Sequence, residues 1–233
     1  MYRWTPEMVR YMRDAAEEGS YYEELAEKIL PYLNCEDHVC DAGCGLGYLA
    51  AALAPHVGCV TAIDISADAL AVLREKRLSN VEICCGDVAA MPPEKRYDAM
   101  VFCFFGSVDE VLEIAAAQCR EKVFLITRNY EIHRFSQELR KSGRSGFSQA
   151  REALREKEIP FEEQTFDVEF GQPFRSREDA WRFFELYSRD GVSEESLDRR
   201  LTAGGGEFPW YLPHARKIGL LCFSAEDVRE KIK

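Results

Sequence analysis

Three carboxylates and three alternating glycines carry the chemistry this sequence can do. Gly43, Gly45 and Gly47 lie in Asp41-Ala42-Gly43-Cys44-Gly45-Leu46-Gly47. Glycines at that spacing let the chain turn sharply and let a ligand approach the main chain. Asp41 leads into the turn, Asp64 closes the next apolar run and Asp87 follows a third. A carboxylate ahead of a glycine turn suits a cation and repels phosphate, and the Lys of a phosphate-binding loop is missing here. A carboxylate at the end of the following strand can accept two hydrogen bonds from vicinal hydroxyls. Asp64 has a simpler reading as a cap for the helix behind it, although Ser66 is available for that task. Asp87 likewise sits in an ordinary Gly-Asp turn.

The glycine spacing sets one boundary. A dinucleotide turn has the pattern Gly-x-Gly-x-x-Gly, which from Gly43 requires glycine where Tyr48 stands.

These residues need a strand–turn–helix scaffold, and the chain supplies one repeatedly. Helices are expected over residues 6–33, broken near Gly19-Ser20 and ending at Pro31. Strands are expected at 38–41, 59–64, 81–84, 97–104 and 122–127. Between them come helices at 47–55, behind Ser66, and at 108–117. Such alternation implies right-handed crossovers and a parallel sheet. Beyond Thr127 the reading continues with a helical stretch at 130–140, a basic joint at Lys141–Arg144, a helix at 147–158, strand six at 161–170 and strand seven at 218–223. The roughly 45 intervening residues, about 171–214, form an aromatic-rich insertion.

Composition bounds the rest. With 233 residues and 46% hydrophobic content, one domain over 1–233 is expected. It divides into a helical cap (1–35), a nucleotide half (36–127) and an acceptor half (128–233). Net charge is −11, which disfavours a nucleic-acid phosphate surface. No run of 18 apolar residues and no signal-like N-terminus occurs, so a cytoplasmic protein without a membrane span is expected. The nine cysteines show no CxxC pair or ligand spacing. They are expected as reduced thiols, with Cys40, Cys59, Cys84, Cys85, Cys103 and Cys222 acting as buried hydrophobes in or beside strands. No metal is expected.

Residues 38–127 together resemble class I S-adenosylmethionine-dependent methyltransferases. The resemblance implies a Rossmann-like, doubly wound α/β fold. Its seven-stranded sheet is mostly parallel with strand seven antiparallel, with a helical N-terminal cap and here a helical insertion between strands six and seven. It also implies S-adenosylmethionine as cofactor. Asp41, Gly43, Cys44, Gly45 and Gly47 would form its first wall, and Asp64 with Ile65 would meet the ribose. Asp87 would read the adenine amino group and the Val88 N–H a ring nitrogen. The chain at Phe102 and Cys103 would offer a carbonyl to the methionine ammonium.

Methyl transfer to a small-molecule acceptor by direct in-line displacement is the leading expectation. An NAD(P)-dependent oxidoreductase and a non-catalytic binder of the same cofactor are the alternatives. No catalytic residue is assigned. His133 is a candidate base, and Arg128 and Arg134 are candidate anion binders; all three also fit an ordinary polar helix start. Trp181, Phe183, Phe184, Phe208, Trp210 and Tyr211 divide between two readings. They pack as core, or 203–213 closes as a lid on a Gly204–Gly206 hinge. Tyr2, Trp4, Tyr11, Tyr21 and Tyr22 lie where the family covers its cofactor. Oligomeric state is left open.

Overall fold

A computed structural model describes residues 4–92, 97–130, 146–188 and 191–232. The chain opens with α1 (Pro6–Glu18) and α2 (Tyr21–Ile29). The Thr5 hydroxyl caps α1 by accepting the Met8 amide at 3.2 Å, and Pro6 fills the first turn where no N–H is needed. Then come β1 (His38–Ala42), α3 (Tyr48–Leu53), β2 (Cys59–Asp64), α4 (Ala67–Glu75), β3 (Val81–Cys85), β4 (Tyr97–Cys103), α5 (Val108–Gln118) and β5 (Cys119–Arg128). Ser66 caps α4 through the Ala69 amide, and Ser107 with Glu110 closes a capping box on α5.

The second half contains α6 (Gly146–Glu156) and β6 (Phe161–Glu169), then β7 (Gln172–Phe174), α7 (Arg177–Tyr187), α8 (Glu194–Arg200), β8 (Thr202–Gly205) and β9 (Phe208–Leu212). It ends with β10 (Ala215–Ser224) and α9 (Ala225–Lys231).

Among the described residues the main sheet has seven strands in the order β3-β2-β1-β4-β5-β10-β6. Pairing is parallel from β3 through β5, and β10 runs antiparallel to both β5 and β6. The doubly wound sheet with an antiparallel last strand is therefore as expected. The order reverses between β1 and β4, which opens a crevice at their carboxyl ends.

Period-two alternation sorts the strands onto two buried faces. Val39, Val60, Val101, Phe124 and Leu220 face α2 and α3. Cys40, Ile63, Met100, Phe102, Leu125 and Phe223 face α5, α6 and α9. Asp41 falls in register with Val39, so it points into the layer beneath α3. Cys85 departs from expectation. It ends edge strand β3, where nothing covers that position, and it is exposed.

The insertion is also more than helical. Its residues build a second sheet, β7-β9-β8, backed by α7 and α8. Gly204 and Gly205 belong to β8, and 208–212 form β9 paired on both sides, so this stretch is the central strand of the second sheet. A side chain at Gly204 would overlap the Phe208 carbonyl, which gives that glycine a packing reason.

This layer grips α1. Tyr11 packs edge-on against Phe183 (5.1 Å between centroids) within a cluster that includes Phe174, Phe184 and Leu212. Asp179 accepts hydrogen bonds from Arg10 (2.6 Å) and from the Tyr11 hydroxyl (3.1 Å). Arg175 pairs with Asp14 from the opposite side.

Candidate active site

The crevice at the switch point is a cavity of about 830 Å³. Its floor is the loop leaving β1. Gly43, Gly45 and Gly47 adopt φ of +71°, +55° and +74°, the left-handed region that side-chain-bearing residues avoid. The loop's own hydrogen bonds hold it in that shape. The amides of Gly43 and Cys44 donate to the Ile63 carbonyl at 2.8 and 2.9 Å, and Gly47 donates to the Cys44 carbonyl at 2.9 Å. Gly45 donates to Asp64 Oδ2 at 2.8 Å. Four amides that a phosphate-binding loop would present outward are thus already engaged.

Asp64 is the junction of three loops. Its Oδ2 takes Gly45 from the β1 loop, its Oδ1 takes the Ser66 amide at 2.8 Å, and its carbonyl takes the Gly86 amide at 3.0 Å from the β3 loop. These bonds do not exhaust the carboxylate. A carboxylate offers about four lone-pair positions, and Asp64 lines the cavity with two of them used by these amides. Asp87 accepts the Ala89 amide at 3.0 Å, which fixes its side chain on the cavity wall beside Val88.

Asp41 is the electrostatic centre. It is 1% exposed, and its Oδ2 has no hydrogen-bond partner among the described residues. Burial pushes its pKa up to about 7, against a backbone hydrogen bond from Ala50 that lowers it, and the nearby Asp64 charge raises it further. Burial and the Asp41 charge also push the Cys44 and Cys103 thiols up, so neither is a thiolate nucleophile. An orphaned, deeply buried carboxyl oxygen at the cavity floor asks for a cation.

The far wall comes from the loop after β4. Phe104 adopts φ of +54°, a strained conformation for a bulky residue, and is 45% exposed. Ile65 is exposed to the same degree across the cavity. The Phe105 ring lies against Gly43 so closely that a Cβ there would overlap it.

Nine of the eleven expected cofactor residues line this cavity: Asp41, Gly43, Cys44, Gly45, Asp64, Ile65, Asp87, Val88 and Cys103. Gly47 and Phe102 are not in the lining. Gly47 is a packing glycine, because a Cβ there would meet Leu73 of α4. Phe102 is fully buried on the opposite sheet face, one residue out of phase with Cys103.

Trp4, Tyr21 and Tyr22 reach the cavity, whereas Tyr11 is held in the α7 cluster. None of the six insertion aromatics lines it. Tyr2, His133, Arg134 and the Lys141–Arg144 joint lie outside the described residues. Arg128 is exposed at the end of β5 and does not line the cavity. Met12, Phe104, Phe105, Glu110 and Arg216 line it without having been anticipated. An aromatic pair before a glycine, Phe104-Phe105-Gly106, was the one local signal among them. Among the described residues no helix is long and apolar enough to cross a membrane. No group of three His, Cys, Asp or Glu among them could hold a metal ion.

Residues 39–123 match the family model described as a methyltransferase domain. No curated protein matches the sequence. Among solved structures the chain is similar to a candidate methyltransferase from Bacillus halodurans C-125 at 15% identity, with a TM-score of 0.54 over 87% of this chain and 98% of that one. It is similar to a precorrin-6y C5,15-methyltransferase from Geobacter metallireducens GS-15 at 13% identity, TM-score 0.53, over 86% and 88%. A candidate RNA methyltransferase from Pyrococcus horikoshii is similar at 15% identity, TM-score 0.50, over 87% and 83%. Residues 39–123 are thus similar to a methyltransferase domain, and the chain shares its fold with these structures.

Proposed function

We propose that the chain transfers a methyl group from S-adenosylmethionine to a small-molecule acceptor by direct in-line displacement. The observation that carries this reading is Asp41: a buried carboxylate with an orphaned oxygen, on a glycine turn whose amides are spent internally. That site rejects phosphate and accepts a cation. The cofactor's amino-acid end carries an ammonium beside its sulfonium, and when bound it supplies an electrophilic methyl group. Asp64 would receive the ribose hydroxyls on its remaining lone pairs. Asp87 and the Val88 amide would read the adenine, with Ile65 against the ring. The main chain at Cys103 would offer its carbonyl to the ammonium. Phe104, Phe105, Trp4 and Tyr22 would exclude water and align the two reactants, the main contribution a protein makes to such a displacement.

A small acceptor agrees with a net charge of −11 and with the aromatic side chains of Trp4, Tyr22, Phe104 and Phe105 in the cavity lining. The test is to incubate the protein with S-adenosylmethionine and a cell extract split by size, and to quantify S-adenosylhomocysteine. Product formed with the low-molecular-weight fraction is expected. Product formed only with the macromolecular fraction would overturn the small acceptor. Tight cofactor binding without turnover in either fraction would favour a non-catalytic binder.

A further inference from the structure

Arg216 is the cavity's second unanswered charge. It stands near the start of β10, opposite Val168 of β6, and its side chain lines the cavity. Its Nε is buried with no hydrogen-bond partner among the described residues. Its hydrogen bond within the described residues is long, Nη1 donating to the Tyr21 hydroxyl at 3.4 Å. The guanidinium lies over Phe170 at 4.1 Å and over Tyr21 at 5.1 Å, with Phe104 at 5.9 Å. No carboxylate of the described residues pairs with it, although Arg10, Arg175 and Arg177 nearby in the fold each have one.

Aromatic stacking holds a guanidinium plane in place while leaving its N–H edge available, and that edge matches a carboxylate bidentately. A buried N–H without an acceptor is an uncommon expense in a folded chain and calls for a ligand. Asp41 does not answer it: Oδ2 of Asp41 is equally without a partner in the same cavity. Two opposite charges in one cavity, each unsatisfied, ask for a cation at one end and an anion at the other.

The sheet order separates the strands that carry the two residues. From β1 the path to β10 crosses β4 and β5, three inter-strand steps or about 14 Å. The proposed cofactor residues come from the β1, β2, β3 and β4 loops, so Arg216 reaches in from the acceptor side. Tyr22 and Phe104 line the same cavity.

The geometry points to Arg216 as the receptor for a carboxylate on the methyl acceptor, whose flat apolar body lies against Tyr22 and Phe104. This assignment rests on the methyltransferase reading and narrows its acceptor to aromatic or unsaturated acids. Arg216 is a specificity-determining residue here, with no proton transfer assigned to it.

Matched probes test it on the full-length protein saturated with S-adenosylhomocysteine. Benzoate and 3-phenylpropanoate are compared with benzamide and 3-phenylpropanamide by ligand-observed NMR titration. The acids are expected to bind at least tenfold tighter than their amides. Arg216→Met, which keeps an apolar stem, is expected to erase that preference while leaving S-adenosylhomocysteine affinity within twofold. Arg216→Lys, which keeps charge but loses the fork, is expected to retain only part of it and guards against an unfolded Met variant. Equal binding of acids and amides, no binding of either, or an undiminished preference in both variants would overturn the proposal. So would a tenfold loss of S-adenosylhomocysteine affinity in the variants with 5′-methylthioadenosine affinity retained, since Arg216 would then hold the cofactor's own carboxylate. A wild-type protein that binds no S-adenosylhomocysteine would sink the methyltransferase reading itself, a separate result.

Discussion

Asp64 Oδ2 accepts the Gly45 amide at 2.8 Å, so the carboxylate that ends β2 fixes the loop that leaves β1. One side chain thereby shapes the turn and faces the cavity that the turn forms. Replacing it by Ala removes two charged hydrogen bonds to backbone and the proposed ribose contacts together. Asp64→Ala is expected to weaken S-adenosylhomocysteine binding by about 1–3 kcal/mol, roughly 5- to 150-fold, measured by calorimetry. An unchanged affinity would remove Asp64 from the binding account.

Asp41 predicts a pH dependence with a definite sign. Its folded-state pKa is pushed up to about 7 by burial, above the ordinary value near 4 that it has when unfolded. A raised pKa contributes stability that is fully present below about pH 4 and is lost as pH rises through about 7. Asp41→Asn is therefore expected to raise the melting temperature of the ligand-free protein at pH 8 and to change it little at pH 4. A bound cation favours the ionised carboxyl, so S-adenosylmethionine should bind tighter as pH rises through about 7 and release a proton on binding near pH 6. Calorimetry in buffers of different ionisation enthalpy reads that proton. Binding without proton release would contradict the assignment.

Two glycines of one turn should behave differently. At Gly47 a methyl group meets Leu73 and the φ of +74° strains any L-residue, yet the position lies outside the cavity. Gly47→Ala is expected to cost roughly 2–4 kcal/mol of stability by urea unfolding and to leave the affinity of the folded protein intact. At Gly43 a methyl group overlaps Phe105, which itself lines the cavity. Gly43→Ala should lower stability and cofactor affinity together. Equal effects at both positions would mean that the turn acts only as packing.

Much of this site was readable because it is local. Gly43, Asp64 and Asp87 each follow a strand directly, so a short pattern plus strand alternation placed them around one crevice. Phe102 and Cys103 were named for a main-chain carbonyl, and period-two alternation sends only the Cys103 side chain towards the cavity. Arg216 had no local signal. It joins the site through the insertion of β10 between β5 and β6, a pairing that no sequence spacing encodes. The insertion aromatics were ambiguous for a related reason: composition does not say whether an aromatic covers a ligand or a helix, and of these Phe183 packs against Tyr11 of α1.

The grip on α1 carries its own expectation. Asp179 is partly buried, which works to raise its pKa, yet the Arg10 hydrogen bond, the Arg175 amide and the Tyr11 hydroxyl hold it below the usual carboxylate range. A depressed pKa contributes stability present above the unfolded value and lost as pH falls through the folded one. Asp179→Asn is expected to cost about 1–3 kcal/mol at pH 7, with the deficit shrinking below about pH 4 in urea melts. A deficit independent of pH would show that the carboxylate charge is not what holds α1.

The central claim is that the crevice between β1 and β4 holds S-adenosylmethionine. Titration calorimetry of the folded wild-type protein with S-adenosylhomocysteine at pH 8 tests it most directly, run beside Asp41→Asn and Asp64→Ala. The account predicts one saturable site in the wild type and weaker binding in both variants. No heat of binding from a protein whose melting curve is intact, or equal affinity in all three proteins, would contradict it.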